Sequence, residues 1–333
     1  MRKLVSGIGV CWVVAIGVSA AGTQAQPSPA WAYGFPPGEA VAAPRGPNPA
    51  AAVAPPPDPT PRQIPGATRT FTMAQIRDYW NVGDWFPDEH PPMPAVVVHG
   101  RQPHVRGCAM CHMPNGKGRP ENAPLAGLNA GYFVQQLLDF KHGLRTSADT
   151  RKTNTATMIE AAKEMTDEEM KESASYFASM KWTPWVTVRE TATVPRTRLS
   201  GNVFFRLPGS ETEPIDNRII ETPDDAERFE LRDPHSGFIA YVPPGSIQKG
   251  GVLARSGGGK TMPCGVCHGA DLQGLGPVPG IAGRSPSYIV RQLWDMQQGS
   301  RKGEWSPLMK PVVEHLTPDD MLSIAAYVAA QGG

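Results

Sequence analysis

The chain of 333 residues contains one segment twice. When the sequence is shifted by 156 residues, the segment 108–145 aligns without a gap on 264–301, and 13 of these 38 positions are identical. Each copy begins with a Cys-x-x-Cys-His motif. After a five-residue deletion in the second copy the alignment resumes, with Met158 on Met309. A duplication of this kind predicts two domains of one architecture, each with its own copy of the motif.

The motif itself indicates covalent attachment of haem. Two thiols at this spacing can add to the two vinyl groups of one haem edge, and the adjacent histidine can reach the iron as proximal ligand. Two Cys-x-x-Cys pairs could instead form one four-thiolate zinc site or redox-active disulfides, but neither explains a histidine after both pairs. We therefore predict two covalently bound haem c groups. The residues that would attach them are Cys108, Cys111 and His112 in the first copy and Cys264, Cys267 and His268 in the second.

A methionine in each copy is predicted to be the second axial ligand of the iron. Met158 and Met309 each end a polar loop and lie eight residues before a threonine that begins the last helix, although the loops differ in length by five residues. An iron ligand has a reason to keep that interval, because the helix anchors it against the haem, and a thioether ligand raises the reduction potential. The alternatives are that both methionines pack in the core, or that His142 replaces Met158 as ligand.

Two arginines lie at equivalent positions after the helix that follows each motif. Arg145 and Arg301 could each pair with a haem propionate, or could interact with the negative end of the helix dipole. These two interpretations remain open at the level of sequence.

The N-terminal part of the chain reads as a targeting segment followed by a linker. Residues 1–25 begin with two basic residues, continue with a short apolar run and end at small residues, as a cleaved secretory signal does. Residues 26–66 contain 13 prolines and many alanines, so we predict a disordered, semi-extended tether. Once the signal is removed, we expect no membrane-spanning helix, and we expect the protein in the periplasm.

The remaining chain divides into two haem domains and a connector. We predict a first domain over 67–182 with an N-terminal wrap, a mostly irregular connector over 183–244, and a second domain over 245–333. Apolar residues recur at helical spacing after each motif, so the fold class is predicted to be mainly α. The near balance of 32 basic and 31 acidic side chains argues against nucleic-acid binding.

The pattern resembles tandem di-haem class I c-type cytochromes. The resemblance covers roughly 94–182 and 245–333 and depends on Cys-Ala-Met-Cys-His with Met158 and Cys-Gly-Val-Cys-His with Met309. It implies two class I cytochrome c-like helical domains and soluble electron transfer to or from a dehydrogenase, an oxidase or another cytochrome. The alternative is a di-haem enzyme such as a peroxidase with one open haem, but paired methionines favour closed, six-coordinate irons and therefore a carrier. The long connector leaves the haem–haem distance, the partner and the oligomeric state open.

Overall fold

The computed structural model describes residues 28–36 and 58–332. The proposed signal, residues 1–25, lies outside this part of the chain. In the described part, helices form two groups on either side of a β-rich connector, and none of these helices has the length and apolar character needed to cross a membrane. The helices of the first group are α1 (Met73–Ile76), α2 (Ala95–Val98), α3 (Cys108–His112), α4 (Ala130–Lys141), α5 (Thr153–Glu164) and α6 (Asp167–Ala178). After the short connector helix α7 (Ala226–Glu230), the second group consists of α8 (Ser246–Ser256), α9 (Gly265–His268), α10 (Pro286–Gln297), α11 (Ser306–Val313) and α12 (Pro318–Ala330).

Each group of helices encloses its own apolar core. In the first domain α4 packs against α5 and α6, and in the second α12 packs against α8 and α10. The last helix of each domain begins as the sequence predicts, because Thr166 and Thr317 are N-caps whose side chains accept from the backbone N–H three residues on. In both cases the third helical residue bonds back to the threonine N–H, which completes a capping box.

The connector contains more β-strand than the mostly irregular segment with a few short strands that the sequence predicts. Its apolar runs alternate with polar residues and form short strands: β1 (Val186–Glu190), β2 (Thr193–Pro195), β3 (Thr197–Ser200), β4 (Val203–Arg206), β5 (Thr212–Pro214), β6 (Ile220–Pro223) and β7 (Phe238–Val242). Strand β7 lies at the centre of a three-stranded sheet, parallel to β1 and antiparallel to β6. The pairs β2–β5 and β3–β4 are antiparallel, and two further short strands, β8 (Gly274–Leu275) and β9 (Val278–Pro279), pair within the second domain.

The connector also packs against both haem domains. Strand β7 is buried along its whole length, and Ala240 and Val242 belong to the apolar core of the second domain. The buried Glu221 accepts hydrogen bonds from the Ser285 hydroxyl and the Ser287 N–H at the start of α10. On the other side, the Trp185 indole donates to the Lys117 carbonyl of the first domain at 3.0 Å. These contacts tie the connector to both halves of the molecule.

Residues 28–36 differ from the predicted disordered tether. Trp31, Ala32 and Tyr33 lie in a 3-10 helix, are almost fully buried and join the core of the second domain. The Tyr33 hydroxyl donates to Asp295 Oδ1 at 2.7 Å, and a guanidinium of α10 donates to the Ala32 carbonyl. A short aromatic cluster within a proline-rich stretch therefore buries enough apolar surface to order its own backbone.

Candidate functional site

Both Cys-x-x-Cys-His motifs form single helical turns that end at the histidine. In the first domain the turn is α3, and His112 Nδ1 lies 2.8 Å from the Ala123 carbonyl oxygen. In the second domain the turn is α9, and His268 Nδ1 lies 2.7 Å from the Pro279 carbonyl oxygen. Each carbonyl belongs to the residue 11 positions after its histidine. The two repeats therefore hold their imidazoles in the same way.

These hydrogen bonds fix the tautomer of both histidines. A carbonyl oxygen can only accept, so Nδ1 must carry the proton and donate, which leaves the Nε2 lone pair available to a metal. Burial lowers the pKa of His112 to about 4 and also lowers the pKa of His268, so both rings are neutral at physiological pH. Both side chains are in the state that a metal-binding imidazole requires.

The four motif cysteines are not joined in disulfides. Burial raises the pKa of the Cys108 thiol to about 12, and it also raises the pKa of Cys264. In addition, residues 28–36 and 58–332 contain no group of three or more His, Cys, Asp and Glu side chains close enough to hold a metal ion. The zinc interpretation is therefore not supported.

A single cavity of about 630 Å³ has both motifs in its wall. Met158 and Met309 also line it, each half-buried and packed against the core of its own domain. The structure differs from the predicted polar loop that ends at the methionine, because Met158 lies inside α5 and Met309 inside α11. The sequence Thr-Asn-Thr-Ala-Thr before Met158 is polar and looks loop-like, yet it forms the start of α5. Thr153 and Ala156 are exposed, whereas Asn154, Thr155 and Thr157 are half-buried and line the cavity together with the methionine.

His142 does not share this environment. It follows the end of α4, is exposed and does not line the cavity. His104 is the other histidine in the cavity wall, and its Nδ1 lies 2.8 Å from Glu160 Oε1 on the exposed surface. Of these two histidines, only His104 lines the cavity, and its ring is bonded to an exposed carboxylate.

Arg145 and Arg301 meet at the boundary between the two domains in a nearly two-fold arrangement. Arg145 donates to Gln136 Oε1 at 3.0 Å and to Gln292 Oε1 at 2.9 Å. Arg301 donates to the same two oxygens, at 2.8 Å to Gln136 and at 3.1 Å to Gln292. Each arginine also reaches a tyrosine of the opposite domain, Tyr288 for Arg145 and Tyr132 for Arg301.

The hydrogen bonds of both arginines bear on the two interpretations that the sequence leaves open. The helices α4 and α10 end four residues before Arg145 and Arg301, and both guanidinium groups bond to side chains across the boundary rather than to helix carbonyls. Both arginines are buried and line the cavity. The backbone repeats the symmetry, because Thr146 N–H donates to the Ser300 carbonyl and Lys302 N–H donates to the Leu144 carbonyl.

The connector covers one motif and leaves the other exposed. At the first motif, Arg232 donates to the Met110 carbonyl, and Met110 is only 6% exposed. At the second motif, Val266 takes the position of Met110 and is 65% exposed. Cys267 is exposed as well, whereas its equivalent Cys111 is partly buried. The two repeats therefore differ in how far the motif is open to the surroundings.

Sequence reasoning did not single out several buried polar residues of this region. Lys152, Arg284 and Arg291 are each at most 5% exposed and line the cavity. Arg284 bonds to the Pro124 carbonyl across the domain boundary, and Arg291 bonds to the Pro120 carbonyl. Lys152 lies in the stretch where the first repeat is five residues longer than the second. This difference in length is the feature of the sequence that could have drawn attention to Lys152.

The donor set in each repeat fits covalent haem. Two thiols that are not joined in a disulfide lie three residues apart at one helical turn, next to an imidazole whose Nε2 carries no proton and a largely apolar cavity. When bound, haem c supplies an iron that changes between the ferrous and ferric states, while the protein provides ligands and a shielded environment.

Comparison with known proteins agrees with this geometry. The family model described as "Cytochrome c" matches residues 97–181. Cytochrome c-554(548) of Halomonas halodenitrificans is 38% identical over 79 residues, which is 23% of this chain and 95% of that protein. Cytochrome c4 of Stutzerimonas stutzeri is 36% identical over 87 residues, which is 24% of this chain and 41% of that protein.

Another match extends over more of the chain. A protein named thiosulfate dehydrogenase electron acceptor, from Stutzerimonas stutzeri strain A1501, is 25% identical over 236 residues, or 70% of this chain and 82% of that protein. The chain therefore belongs to the cytochrome c family, as a di-haem c-type cytochrome that carries two covalently bound haems and transfers electrons.

Proposed function

We propose that the protein is a periplasmic electron relay whose two irons are both six-coordinate, with His112 and Met158 at the first and His268 and Met309 at the second. One observation carries the proposal: in each repeat the methionine lines the same cavity as a histidine held by a backbone carbonyl. A closed iron suits a carrier, because it exchanges electrons without binding a substrate.

The surrounding residues would hold and shield the redox centres. The carbonyl bonds to Nδ1 orient the imidazoles, and the apolar wall excludes water from the iron. Arg145 and Arg301 supply buried positive charge to the cavity, and we propose that they bind haem propionates through donors that Gln136 and Gln292 do not occupy.

Carbon monoxide binding to the reduced protein tests the closed irons. The unmutated protein should not bind carbon monoxide rapidly, whereas Met158→Ala and Met309→Ala should each open one haem of the two. Met180→Ala is a matched control, since Met180 is half-buried but lies outside the cavity wall. Rapid carbon monoxide binding or peroxide turnover by the unmutated protein would mean that a haem is open and that the peroxidase alternative is correct. A response of the first haem to His142→Ala, but not to Met158→Ala, would reassign its ligand.

We further propose that the electrons come from a periplasmic dehydrogenase. The support is the match to a protein named thiosulfate dehydrogenase electron acceptor, which extends over 70% of this chain. The assay is reduction of the purified di-haem protein by a thiosulfate dehydrogenase supplied with thiosulfate, followed by absorbance. Failure to reduce the protein under conditions where the dehydrogenase reduces another acceptor would exclude this donor.

Electron exchange with the partner is proposed to take place on the side of the second motif. Exposed Val266 and Leu275 surround this motif, while the connector occupies the equivalent side of the first. Because a charged group in a docking surface costs binding energy, Val266→Asp and Leu275→Asp should slow reduction by the partner about tenfold, which corresponds to about 1.4 kcal/mol. Leu207→Asp, at an exposed leucine of the connector, is the control. Equal rates for all three variants would contradict this route.

A further inference from the structure

A buried lysine of the first domain has no hydrogen-bond partner. Lys152 is 4% exposed, its Nζ has no partner atom, and the residue lines the cavity that contains both motifs. It immediately precedes α5, the helix that carries Met158. An ammonium group without a partner in a low-dielectric interior is costly, and a buried charge is normally paired. The position therefore calls for an anion in the cavity.

The contacts around Lys152 connect it to the first motif. Two residues further on, Asn154 donates to Asn122 Oδ1 at 2.7 Å, and Asn122 donates in turn to the carbonyl of Cys111 at 3.2 Å. The charged groups that act on Lys152 are Arg291, Glu121 and Asp149.

The acidic groups near Lys152 leave its positive charge unpaired. Asp149 is already bonded to Arg151, at 2.6 Å between Oδ2 and Nη2. Glu121 lies 4.0 Å from Arg119, and its Oε2 has no hydrogen-bond partner. Burial together with the positive charge of Arg291 lowers the pKa of Lys152, as expected for an ammonium group that lacks its counter-ion.

The second repeat has no such lysine. In the register that aligns Met158 with Met309, a shift of 151 residues, Lys152 falls on Gly303. A glycine is required there, because a Cβ atom on Gly303 would overlap the carboxylate of Asp139. The two repeats therefore share their histidine, methionine and arginine positions, and Lys152 is a buried positive charge that the first repeat alone supplies at this place. The second repeat supplies Arg284 and Arg291, whose guanidinium groups already bond to backbone carbonyls of the first domain.

We propose that Lys152 binds a propionate carboxylate of the first haem and thereby makes the two haems electrostatically different. The haem is the covalent cofactor at Cys108 and Cys111, and its propionates are the anionic groups that it brings into the cavity. A propionate neutralised by Lys152 adds less negative charge near the iron, so the reduced state is favoured and the reduction potential of the first haem is raised. The second haem, with glycine at this position, receives no such contribution from its own repeat.

Redox titration of the full-length protein with both haems attached tests the proposal. Lys152→Met keeps the length of the side chain and removes its charge, whereas Lys152→Arg keeps the charge. Lys163→Met is the matched control, because Lys163 is exposed on the same helix. We expect Lys152→Met to lower one of the two potentials clearly and the other much less, and we expect Lys152→Arg and Lys163→Met to keep both near their original values.

The competing explanation is that Lys152 serves only as a partner of Glu121. In that case Lys152→Met and Glu121→Gln would destabilise the fold equally, and neither would separate the two potentials. Equal shifts or unchanged potentials in a variant that retains both haems would overturn the proposal. If Lys152→Met does not fold, the resonance Raman bands of the propionates are compared between the unmutated protein and Lys152→Arg. We expect the bands of one haem to differ between these two proteins. Identical bands would overturn the assignment. Carbon monoxide binding to Met158→Ala is independent of this result, so a failed axial-ligand proposal is recognised separately.

Discussion

The paired glutamines at the domain boundary allow a quantitative prediction. Gln292 Oε1 accepts one bond from Arg145 at 2.9 Å and one from Arg301 at 3.1 Å. A hydrogen bond to a charged group contributes about 1.5–3 kcal/mol. Both arginines keep their bonds to Gln136, which reduces the loss, so we expect Gln292→Leu to lower the free energy of unfolding by about 2–3 kcal/mol.

The double variant Gln136→Leu/Gln292→Leu should show coupling between the two positions. After both substitutions, Arg145 retains only the hydroxyl of Tyr288 at 3.4 Å among its side-chain acceptors in the described structure. The donors that faced the two glutamines then have no acceptor, even where a propionate binds the remaining donors, and buried unsatisfied donors of a charged group are costly. The double variant should therefore lose at least about 1 kcal/mol more than the sum of the single variants.

Urea unfolding of the protein with both haems attached, followed by circular dichroism and haem absorbance, measures these differences. Gln298→Leu is the control, because Gln298 is exposed just after α10 and should change stability by less than about 0.5 kcal/mol. A cost below about 0.5 kcal/mol for Gln292→Leu, or strictly additive losses in the double variant, would refute the shared-acceptor arrangement.

Three further predictions concern other contacts of the fold. Tyr33→Phe leaves the buried Asp295 without its hydroxyl donor and should lower the free energy of unfolding by about 1.5–3 kcal/mol in urea titrations; an unchanged midpoint would mean that the N-terminal segment does not pack in solution. Burial alone would raise the pKa of Asp320, but hydrogen bonds such as the one from Lys260 outweigh burial and hold this pKa below its usual range. The ionised carboxylate therefore stabilises the fold fully above about pH 4, and this contribution is lost as the pH falls below that value. Asp320→Asn should therefore be less stable than the unmutated protein at neutral pH, with the difference shrinking as the pH falls through this range; a constant difference would contradict the assignment. Limited proteolysis should cut the connector, 183–244, only slowly, whereas rapid release of two free domains would show that the domains are not held in a fixed orientation.

The sequence predicted the motifs and the caps of the last helices because these depend on local patterns. Thr166 and Thr317 needed only their own neighbours to be recognised as N-caps. The repeat also revealed Gln136, Gln292 and the two arginines as matched positions, but not their contact with one another. A repeat places equivalent residues at equivalent points of two domains and contains no information about how the domains face each other.

The other differences between prediction and structure arise where a few residues form ordered structure that the composition of their segment disfavours. The prediction of a disordered tether rested on the high proline content of the whole segment. It did not anticipate that Trp31 and Tyr33 pack in the core of the second haem domain, which is distant in sequence. The helix of Met158 was missed because threonines and an asparagine weaken the helical pattern of α5, and the helix of Met309 was missed because Pro311 interrupts that of α11. Tertiary packing then supports both helices. The strands of the connector are short, and the central strand β7 owes its burial to the second haem domain and to other parts of the connector.

The cover that the connector forms over the first motif has a consequence for the order of assembly. Haem attachment requires access to both thiols of a motif. In the folded protein Arg232 bonds to the Met110 carbonyl inside the first motif, and Phe229 of the neighbouring α7 accepts from Arg119 just after it. We therefore expect the first haem to be attached more readily before this segment folds into place, whereas the second motif, with its exposed Val266 and Cys267, stays accessible afterwards. When haem is scarce during maturation, we expect molecules with haem attached only at the second motif to accumulate. Once the connector has folded over an empty first motif, attachment of haem there becomes slower.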